Sequence, residues 1–365
     1  MGIPAPFPWF GGKSRVAHEV WARFGDTPNY VEPFFGSGAV LLGRPEFDGL
    51  RTETVNDLDG FLANFWRAVS KDGAAVAAWA DSPVNEVDLH ARHVWLIGQR
   101  DTLVARLMGD PDYYDAKIAG WWCWGLCCWI GSGWCSGKGP WQSVDGVFQR
   151  LGDAGRGVNK QLPHLSNAGQ GVNKKLPHLS NAGQGVNKQL PHLSNAGQGV
   201  NKKLPHLGNA GRGVNKQLPL YEWFAELQER LRYVRVACGD WQRMVTPAVT
   251  ERNGTTAVFL DPPYPSHDRA ETYTHDSGDV AYAVRDWAIA NGGNPQLRIA
   301  LCGYDGHWEM PDDWYALAWK AAGGYGSQGK NTRGAANSHR ERVWFSPHCL
   351  PALNATLRAE EAMLV

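Results

Sequence analysis

Short apolar, β-branched runs alternate along the chain with stretches of helical periodicity. The runs at 29–34, 234–241, 255–260 and 298–304 have the length and composition of buried strands. Helical spacing of apolar residues occurs at 71–115, 221–234 and 313–321, and the segment 338–347 closes the chain like the strand of a hairpin. This alternation predicts an α/β fold with a largely parallel sheet.

The first strand belongs to a βα unit. A tight turn from Gly36 to Gly38 comes directly after the strand, and a helix is predicted from Ala39 onward. Glycines let the backbone approach a ligand, and the amino end of a helix offers free N–H groups. About twenty residues later, Asp57 ends the next strand, a position where an acid usually bonds ribose hydroxyls. The unit therefore predicts a nucleoside site.

The tetrapeptide Asp261-Pro262-Pro263-Tyr264 ends the strand at 255–260. Two consecutive prolines stop the strand and stiffen the backbone, which fixes the acid and the ring at the carboxyl edge of the sheet. A carboxylate, a rigid carbonyl and a stacking ring suit an amino group on a planar heterocycle. The alternative is a chance turn with no function.

Composition restricts the class of protein. Hydrophobic residues make up 43% of the 365, enough for a core, and no apolar stretch reaches the length of a membrane span. The amino terminus lacks the basic and apolar regions of a signal peptide. We expect a cytoplasmic protein in a bacterial host cell, with its seven cysteines reduced.

A 14-residue repeat fills the middle of the chain, with copies starting at Ala154 and at 168, 182, 196 and 210. From 154 to 219 there are nine Lys or Arg and no Asp or Glu, so the neutral total conceals a basic arm on an acidic body. A basic stripe of this kind is typical of a polyanion-binding surface. The repeat is either a small solenoid or an extended arm, and a solvated insertion without function is the alternative. The lysines predicted to meet DNA phosphates are Lys160, Lys174, Lys188, Lys202 and Lys216.

The segment 121–141 contains six Trp and four Cys. Its cysteines lack the paired spacing of a zinc module, so no metal site is predicted. Its early part is predicted to be a buried helix and 134–141 a glycine-rich loop. Its aromatic residues either pack in the core or wedge into DNA.

Four motifs agree in order with one known family. PWFGGKSRV (8–16), YVEPFFGSGAV (30–40), VNDLDG (55–60) and DPPY (261–264) resemble the segments of Dam-type DNA adenine-N6 methyltransferases, the α group of the D12 class, of phage or prophage type. The resemblance covers about 7–70 and 234–348. It implies a Rossmann-like sheet that binds S-adenosylmethionine, with an inserted, mainly helical DNA-recognition region that carries the repeat array. It also implies three parts: a cofactor half (1–71), a target-recognition insertion (72–233) and a catalytic half (234–365).

The resemblance also assigns roles to residues. Asp261 and the carbonyl of Pro262 accept hydrogen bonds from N6 of a flipped adenine, and Tyr264 stacks on the base. The expected cofactor contacts are Trp9, Lys13 for the methionine carboxylate, Glu32, Phe34, Gly36 and Gly38 at the methionine end, Asp57 on the ribose and Asp240 near the adenine. Lys13 as an ordinary surface lysine is the alternative to its assigned role.

Arg340 and Arg342 are predicted to contact phosphate or, alternatively, to pair with Glu341 on the surface. We expect double-stranded DNA as the partner of a monomer or weak dimer, with a cognate restriction nuclease left open. Two other functions compete with adenine methylation. They are methylation of cytosine N4, which uses the same geometry, and DNA binding by a protein that kept the fold and lost turnover.

Overall fold

The computed structural model describes residues 3–9, 11–46, 49–129, 134–135, 141–144, 147–150, 220–264, 280–319 and 339–351. Of the two segments 141–144 and 147–150, only the backbone is described. The repeats at 154–219, with the five lysines predicted to contact DNA, lie outside the described residues, as does most of the predicted loop at 134–141.

Seven strands form one mixed sheet in the order β5-β2-β1-β6-β7-β9-β8. They are β1 (Asn29–Glu32), β2 (Thr52–Asp57), β5 (Val234–Cys238), β6 (Thr256–Leu260), β7 (Leu297–Tyr304), β8 (Tyr315–Ala318) and β9 (Glu341–Phe345). The first five are parallel, and β9 runs antiparallel to its neighbours β7 and β8. A separate hairpin pairs β3 (Trp141–Val144) with β4 (Val147–Arg150). These strands confirm the runs predicted from the sequence, and the arrangement is compatible with a methyltransferase fold.

The strand order reverses between β1 and β6. From β1 the chain continues through β2 and β5 on one side, and β6 and β7 lie on the other side. In register, Val31 of β1 lies opposite Val258 of β6, and both side chains are fully buried. Ligands of open α/β sheets bind outside the carboxyl ends of the strands at such a reversal. Glu32 and Asp261 stand at these two strand ends, which places the predicted motifs at the expected binding edge.

Eight α-helices are described. They are α1 (Ala17–Phe24), α2 (Ala39–Leu42), α3 (Gly60–Ala80), α4 (Glu86–Gly109), α5 (Ala116–Cys128), α6 (Leu220–Leu231), α7 (Pro247–Thr250) and α8 (Val280–Asn291). A short 3-10 helix spans Trp241–Met244. The predicted helices at 71–115 and 221–234 and the early part of the Trp/Cys-rich segment are thus confirmed as helical. None of the described helices is both long and apolar enough to cross a membrane.

Helix α3 connects the cofactor side of the sheet to helices α5 and α6. Its face with Phe65 and Trp66 is fully buried, and α5 and α6 pack directly against it. A Cβ at Gly120 of α5 would come within 2.7 Å of the Val76 carbonyl oxygen, so glycine permits the close approach of α5 to α3. The predicted domain boundary after residue 71 falls inside α3, where Asp72 has non-helical backbone angles and kinks the helix.

The helix predicted at 313–321 is wrong. Residues Tyr315–Ala318 form β8, the edge strand, which pairs with β9 in antiparallel register. The sequence YALA favours a helix by propensity, but pairing with β9 overrides that preference. Just before β8, Trp314 is buried beside Gly292, which directly follows α8, and a Cβ on that glycine would lie 2.5 Å from the indole ring. This anchor fixes where the strand begins.

Candidate active site

One cavity at the carboxyl edge of the sheet joins the motif of β1 to the motif of β6. Its lining includes Trp9, Lys13 and the turn after β1 at one side, and Asp261 and Pro263 at the other. Asp57 and Asp240, from the ends of β2 and β5, line it as well. The structure therefore brings together residues that lie more than 200 positions apart in the sequence, as the predicted site requires.

The turn after β1 needs glycine at two positions. Gly36 and Gly38 have φ values of 50° and 65°, in the left-handed region that side chains rarely adopt. A Cβ at Gly36 would lie 2.7 Å from Nε1 of Trp9, and a Cβ at Gly38 would lie 2.7 Å from Cζ of Phe35. The indole N–H of Trp66, on α3, donates to the carbonyl oxygen of Gly36 at 2.9 Å, and this buried hydrogen bond holds the turn in place. The turn thus exposes bare backbone to the cavity.

Asp57 is held by backbone donors at the end of β2. Its carboxylate accepts a hydrogen bond from the N–H of Gly36 at 3.1 Å and another from the N–H of Asp59 at 3.0 Å. Burial raises the pKa of Asp57 to about 7, although these two donors act in the opposite direction. The carboxylate therefore ionises near neutral pH, beside the turn where a nucleoside is expected.

The side chains beyond Asp57 are aromatic and acidic. Phe34 lies 6.2 Å, centroid to centroid, from Trp241, and both line the cavity. Asp240 precedes Trp241 and accepts a hydrogen bond from the N–H of Gln242 at 2.8 Å, which starts the 3-10 helix. Phe34 was expected at the methionine end, yet the structure places its ring beside Trp241 and Asp240, where the cofactor adenine was expected. Trp241 is thus a further candidate to stack on that adenine.

Asp261, the acid of DPPY, forms an ion pair with Lys13 of the first motif. Nζ of Lys13 lies 2.7 Å from Oδ2 of Asp261 and donates to the carbonyl oxygen of Gly11 at 2.9 Å. The Lys13 side chain is 5% exposed, so it is not an ordinary surface lysine. Burial would lower the pKa of Lys13, but Asp261 and Glu341 outweigh it and raise that pKa, so the ammonium form persists. Lys13 was expected at the methionine carboxylate, whereas here it contacts the acid of DPPY.

Tyr264 lies buried beside the same ion pair. Its ring packs edge-on against Tyr304, with centroids 4.6 Å apart. Its hydroxyl lies 3.0 Å from Oε2 of Glu341 and 3.3 Å from Oδ1 of Asp261. Burial, together with these two acids, raises the pKa of Tyr264 well above its usual value, so the hydroxyl stays protonated and donates. In this arrangement only 8% of Tyr264 is exposed, and stacking on a base requires the ring to become accessible.

The charge of the cavity is strongly unbalanced. Among the described residues that line it, the acids are Glu32, Asp57, Asp59, Asp240 and Asp261, and the basic residue is Lys13. Glu32 accepts a hydrogen bond from the Tyr30 hydroxyl at 2.7 Å, and its burial raises its pKa well above the usual value. Even with a protonated Glu32, the cavity favours a cationic ligand over an anionic one.

The two arginines of the closing segment lie apart from this cavity. Nη2 of Arg342 forms an ion pair with Oδ2 of Asp305 at 2.8 Å, and Nη2 of Arg340 donates to the carbonyl oxygen of Asp305 at 3.0 Å. The alternative that either arginine pairs with the carboxylate of Glu341 on the surface is wrong, because Glu341 is 5% exposed and faces Tyr264. Contact of Arg340 with phosphate stays a prediction.

Three residues of the site were missed in the sequence. Asn56 donates to the carbonyl oxygens of Pro33 at 3.0 Å and Gly239 at 2.9 Å, which ties together the ends of β1, β2 and β5. Trp241 and Glu341 are the other two. The only sequence signal for Asn56 and Trp241 was their position next to the predicted acids Asp57 and Asp240. Glu341 carried no signal, since its inward orientation depends on how β9 pairs with β7.

The sheet and its cavity define a class: an α/β protein with a fold compatible with methyltransferases, in which the acid of DPPY and the turn after β1 line the same cavity. A family match narrows that class. Residues 9–90 match the sequence model of the family described as D12 class N6 adenine-specific DNA methyltransferase. The match includes the first three motifs and confirms the resemblance there, and the family it describes consists of enzymes that methylate adenine N6 in DNA. The DPPY motif at 261–264 lies outside the matched residues. No curated protein matches the chain.

Proposed function

We propose that the enzyme binds S-adenosylmethionine along the turn after β1 and transfers its methyl group to N6 of an adenine flipped out of DNA. The observation that carries the proposal is the continuity of one cavity from Asp57, at the predicted ribose position, to Asp261, at the predicted amine position. The family match supports methylation of adenine, and it does not support the alternatives of cytosine-N4 methylation or binding without turnover.

The residues present fit this cofactor. Bare backbone at Gly36 allows close approach, and an ionised Asp57 can accept from ribose hydroxyls. The aromatic pair Phe34 and Trp241 offers flat surfaces for a purine. The excess of acids in the lining suits a molecule that carries a sulfonium and an ammonium group. The chemistry that S-adenosylmethionine supplies is a methyl group activated by its positive sulfur.

Asp261 and the carbonyl of Pro262 orient the target amine for methyl transfer. The lone pair of adenine N6 is delocalised into the ring, so the amine is a poor nucleophile. Asp261 and the carbonyl of Pro262 can each accept one N–H of the amino group, which favours a tetrahedral nitrogen with its lone pair directed away from both acceptors. The two prolines hold these acceptors rigidly. As the N–C bond forms, the bond between the methyl group and the donor sulfur would break. Asp261 would stabilise the positive charge that the nitrogen gains, and the amine would then lose one proton to solvent.

DNA must present the base outside the helix, because N6 is otherwise inaccessible to this edge of the sheet. In the proposal, the Tyr264 ring leaves its contact with Tyr304 and stacks on the flipped adenine. The inserted region 72–233, with the basic repeat, recognises the duplex. The enzyme acts as a monomer or weak dimer, which a cognate restriction nuclease can accompany.

The test is the neutral substitution Asp261→Asn, assayed with tritiated S-adenosylmethionine and genomic DNA from a strain that lacks adenine methylation. Asparagine keeps the size of the side chain but offers one acceptor and no charge. The expected result is a loss of kcat on the order of a hundredfold or more with little change in cofactor Kd. Asp312→Asn, at an exposed position outside the cavity, is the matched control and should keep wild-type activity. A folded Asp261→Asn enzyme with near wild-type kcat would overturn the proposed site.

A further inference from the structure

Glu341, the first residue of β9, shares a buried cluster with the proposed catalytic acid. Its carboxylate accepts the hydrogen bond of the Tyr264 hydroxyl at 3.0 Å, and the same hydroxyl lies 3.3 Å from Asp261. A hydroxyl has one hydrogen, so it donates to one of these two acids at a time. Only 5% of Glu341 is exposed, and a glutamate is rarely buried to this extent unless it is paired.

The cluster has to change when the target amine arrives. Asp261 is bound to the ammonium of Lys13 at 2.7 Å, so one of its oxygens is already used. An adenine amino group that settles on Asp261 competes with Lys13 for the carboxylate. A buried ammonium that loses its counter-ion is strongly destabilised. The displaced Lys13 therefore needs a second acid nearby.

Glu341 is in the right place to be that acid. Glu341 and Asp261 both contact the Tyr264 hydroxyl, at 3.0 and 3.3 Å, so Glu341 is close to the acid that holds Lys13, and its charge raises the pKa of Lys13. Burial raises the pKa of Glu341, while Lys13 lowers it, and a closer ammonium favours the ionised acid further. The Tyr264 hydroxyl leaves Glu341 when the ring moves onto the flipped base, which frees that carboxylate for the lysine.

We propose that Glu341 is a positioning residue for methyl transfer, which takes over the ammonium of Lys13 when the target amine occupies Asp261. The inference rests on the proposed function and deepens it. In this exchange the ammonium of Lys13 moves from the carboxylate of Asp261 to that of Glu341, and the exchange itself changes no covalent bond. Glu341 acts through Lys13 and Tyr264 and does not itself touch the reacting atoms.

The test compares Glu341→Gln, Glu341→Asp and the wild-type enzyme in kcat, KM for DNA and Kd for S-adenosylmethionine. Glutamine removes the charge but keeps an oxygen for the Tyr264 hydroxyl, whereas aspartate keeps the charge and withdraws it by one methylene. We expect kcat to fall about tenfold or more with glutamine and less with aspartate, with cofactor Kd within about twofold of wild type in both. Glu309→Gln, at an exposed position, is the matched control and should leave all three constants unchanged.

The outcomes separate this inference from the function on which it rests. A wild-type enzyme that transfers no methyl to adenine overturns the proposed function. An active wild type with a Glu341→Gln kcat within twofold overturns the inference alone, as does equal loss with glutamine and aspartate, which indicates packing. Should the glutamine variant fail to fold, the aspartate variant decides: a severalfold lower kcat at unchanged cofactor Kd supports the inference, and an unchanged kcat overturns it.

Discussion

Asp57 should make cofactor affinity depend on pH in the neutral range. The affinity is compared between pH 6 and pH 8, in wild type and in Asp57→Asn. With a pKa of about 7, raised by burial, the carboxylate is mostly protonated at pH 6 and mostly ionised at pH 8. The ionised fraction rises about tenfold between these values, and the affinity for S-adenosylmethionine should rise by about the same factor if the carboxylate accepts from the ribose.

Asp57 should also make the free energy of unfolding depend on pH in the absence of cofactor. An aspartate in an unfolded chain ionises near pH 4, whereas Asp57 in the folded protein ionises near pH 7. The folded protein thus binds more protons across this window, and its free energy of unfolding falls as the pH rises. The difference between these two pKa values corresponds to at most about 4 kcal/mol in the free energy of unfolding, an upper bound because Asp57 is half-buried. Asp57→Asn removes this slope and should be more stable than wild type at pH 8.

Isothermal titration calorimetry at pH 6, 7 and 8 measures the affinities, and urea unfolding at the same pH values measures the stabilities. The asparagine variant is the control for the cofactor's own ionisation, because the ligand titrates identically with both proteins. Equal pH dependence of affinity in wild type and Asp57→Asn would refute the ribose role. A wild-type stability that rises between pH 5 and 8 relative to the variant would refute the raised pKa.

Three further predictions concern the turn, the ring and the repeat. Gly36→Ala should weaken S-adenosylmethionine binding severalfold and cost about 1–2 kcal/mol of stability, because the new Cβ meets Trp9 at a positive φ; calorimetry and thermal unfolding check this. The control is Gly98→Ala, in open space within α4, which should keep the cofactor affinity and gain up to about 1 kcal/mol of stability. Tyr264→Ala should raise the KM for DNA at least about tenfold through lost stacking, whereas Tyr264→Phe should stay within a few-fold, and equal effects of the two would contradict a stacking role. Deletion of residues 168–209 removes five lysines, so the slope of log affinity against log salt should flatten by about 4–5 units if all contact phosphates; an unchanged slope in a folded, active protein would contradict the DNA-arm hypothesis.

The strands and the binding edge were predictable because their signals are local. The apolar run before Asp261 and the glycines after β1 specify a strand end and a turn without reference to distant residues. The parallel order of these strands then places both motifs at one edge. The edge strand β8 was not predictable, since its helix-forming sequence is overridden by pairing with β9. Its partner comes more than twenty residues later.

The partners of the site residues depend on tertiary contacts, so the sequence could name the groups but not their pairing. Lys13 and Asp261 were both identified, yet their ion pair arises only because the first motif folds over the end of β6. The sequence suggests Glu341 as a surface partner for arginine, whereas the register of β9 turns it inward toward Tyr264. The pKa values of Asp57 and Glu32 follow from burial, which periodicity does not reveal for single polar residues.

In the proposed reaction, the enzyme places a methyl group on adenine N6, with Asp261 as the acid that holds the amine. The most direct measurement incubates wild type and Asp261→Asn with tritiated S-adenosylmethionine and unmethylated genomic DNA, digests the DNA to nucleosides and separates them by chromatography. We expect label that co-elutes with N6-methyl-2′-deoxyadenosine for wild type and a loss of that label on the order of a hundredfold for the variant. Label on N4-methyl-2′-deoxycytidine, or no incorporation by a folded wild-type enzyme that binds the cofactor, would contradict it.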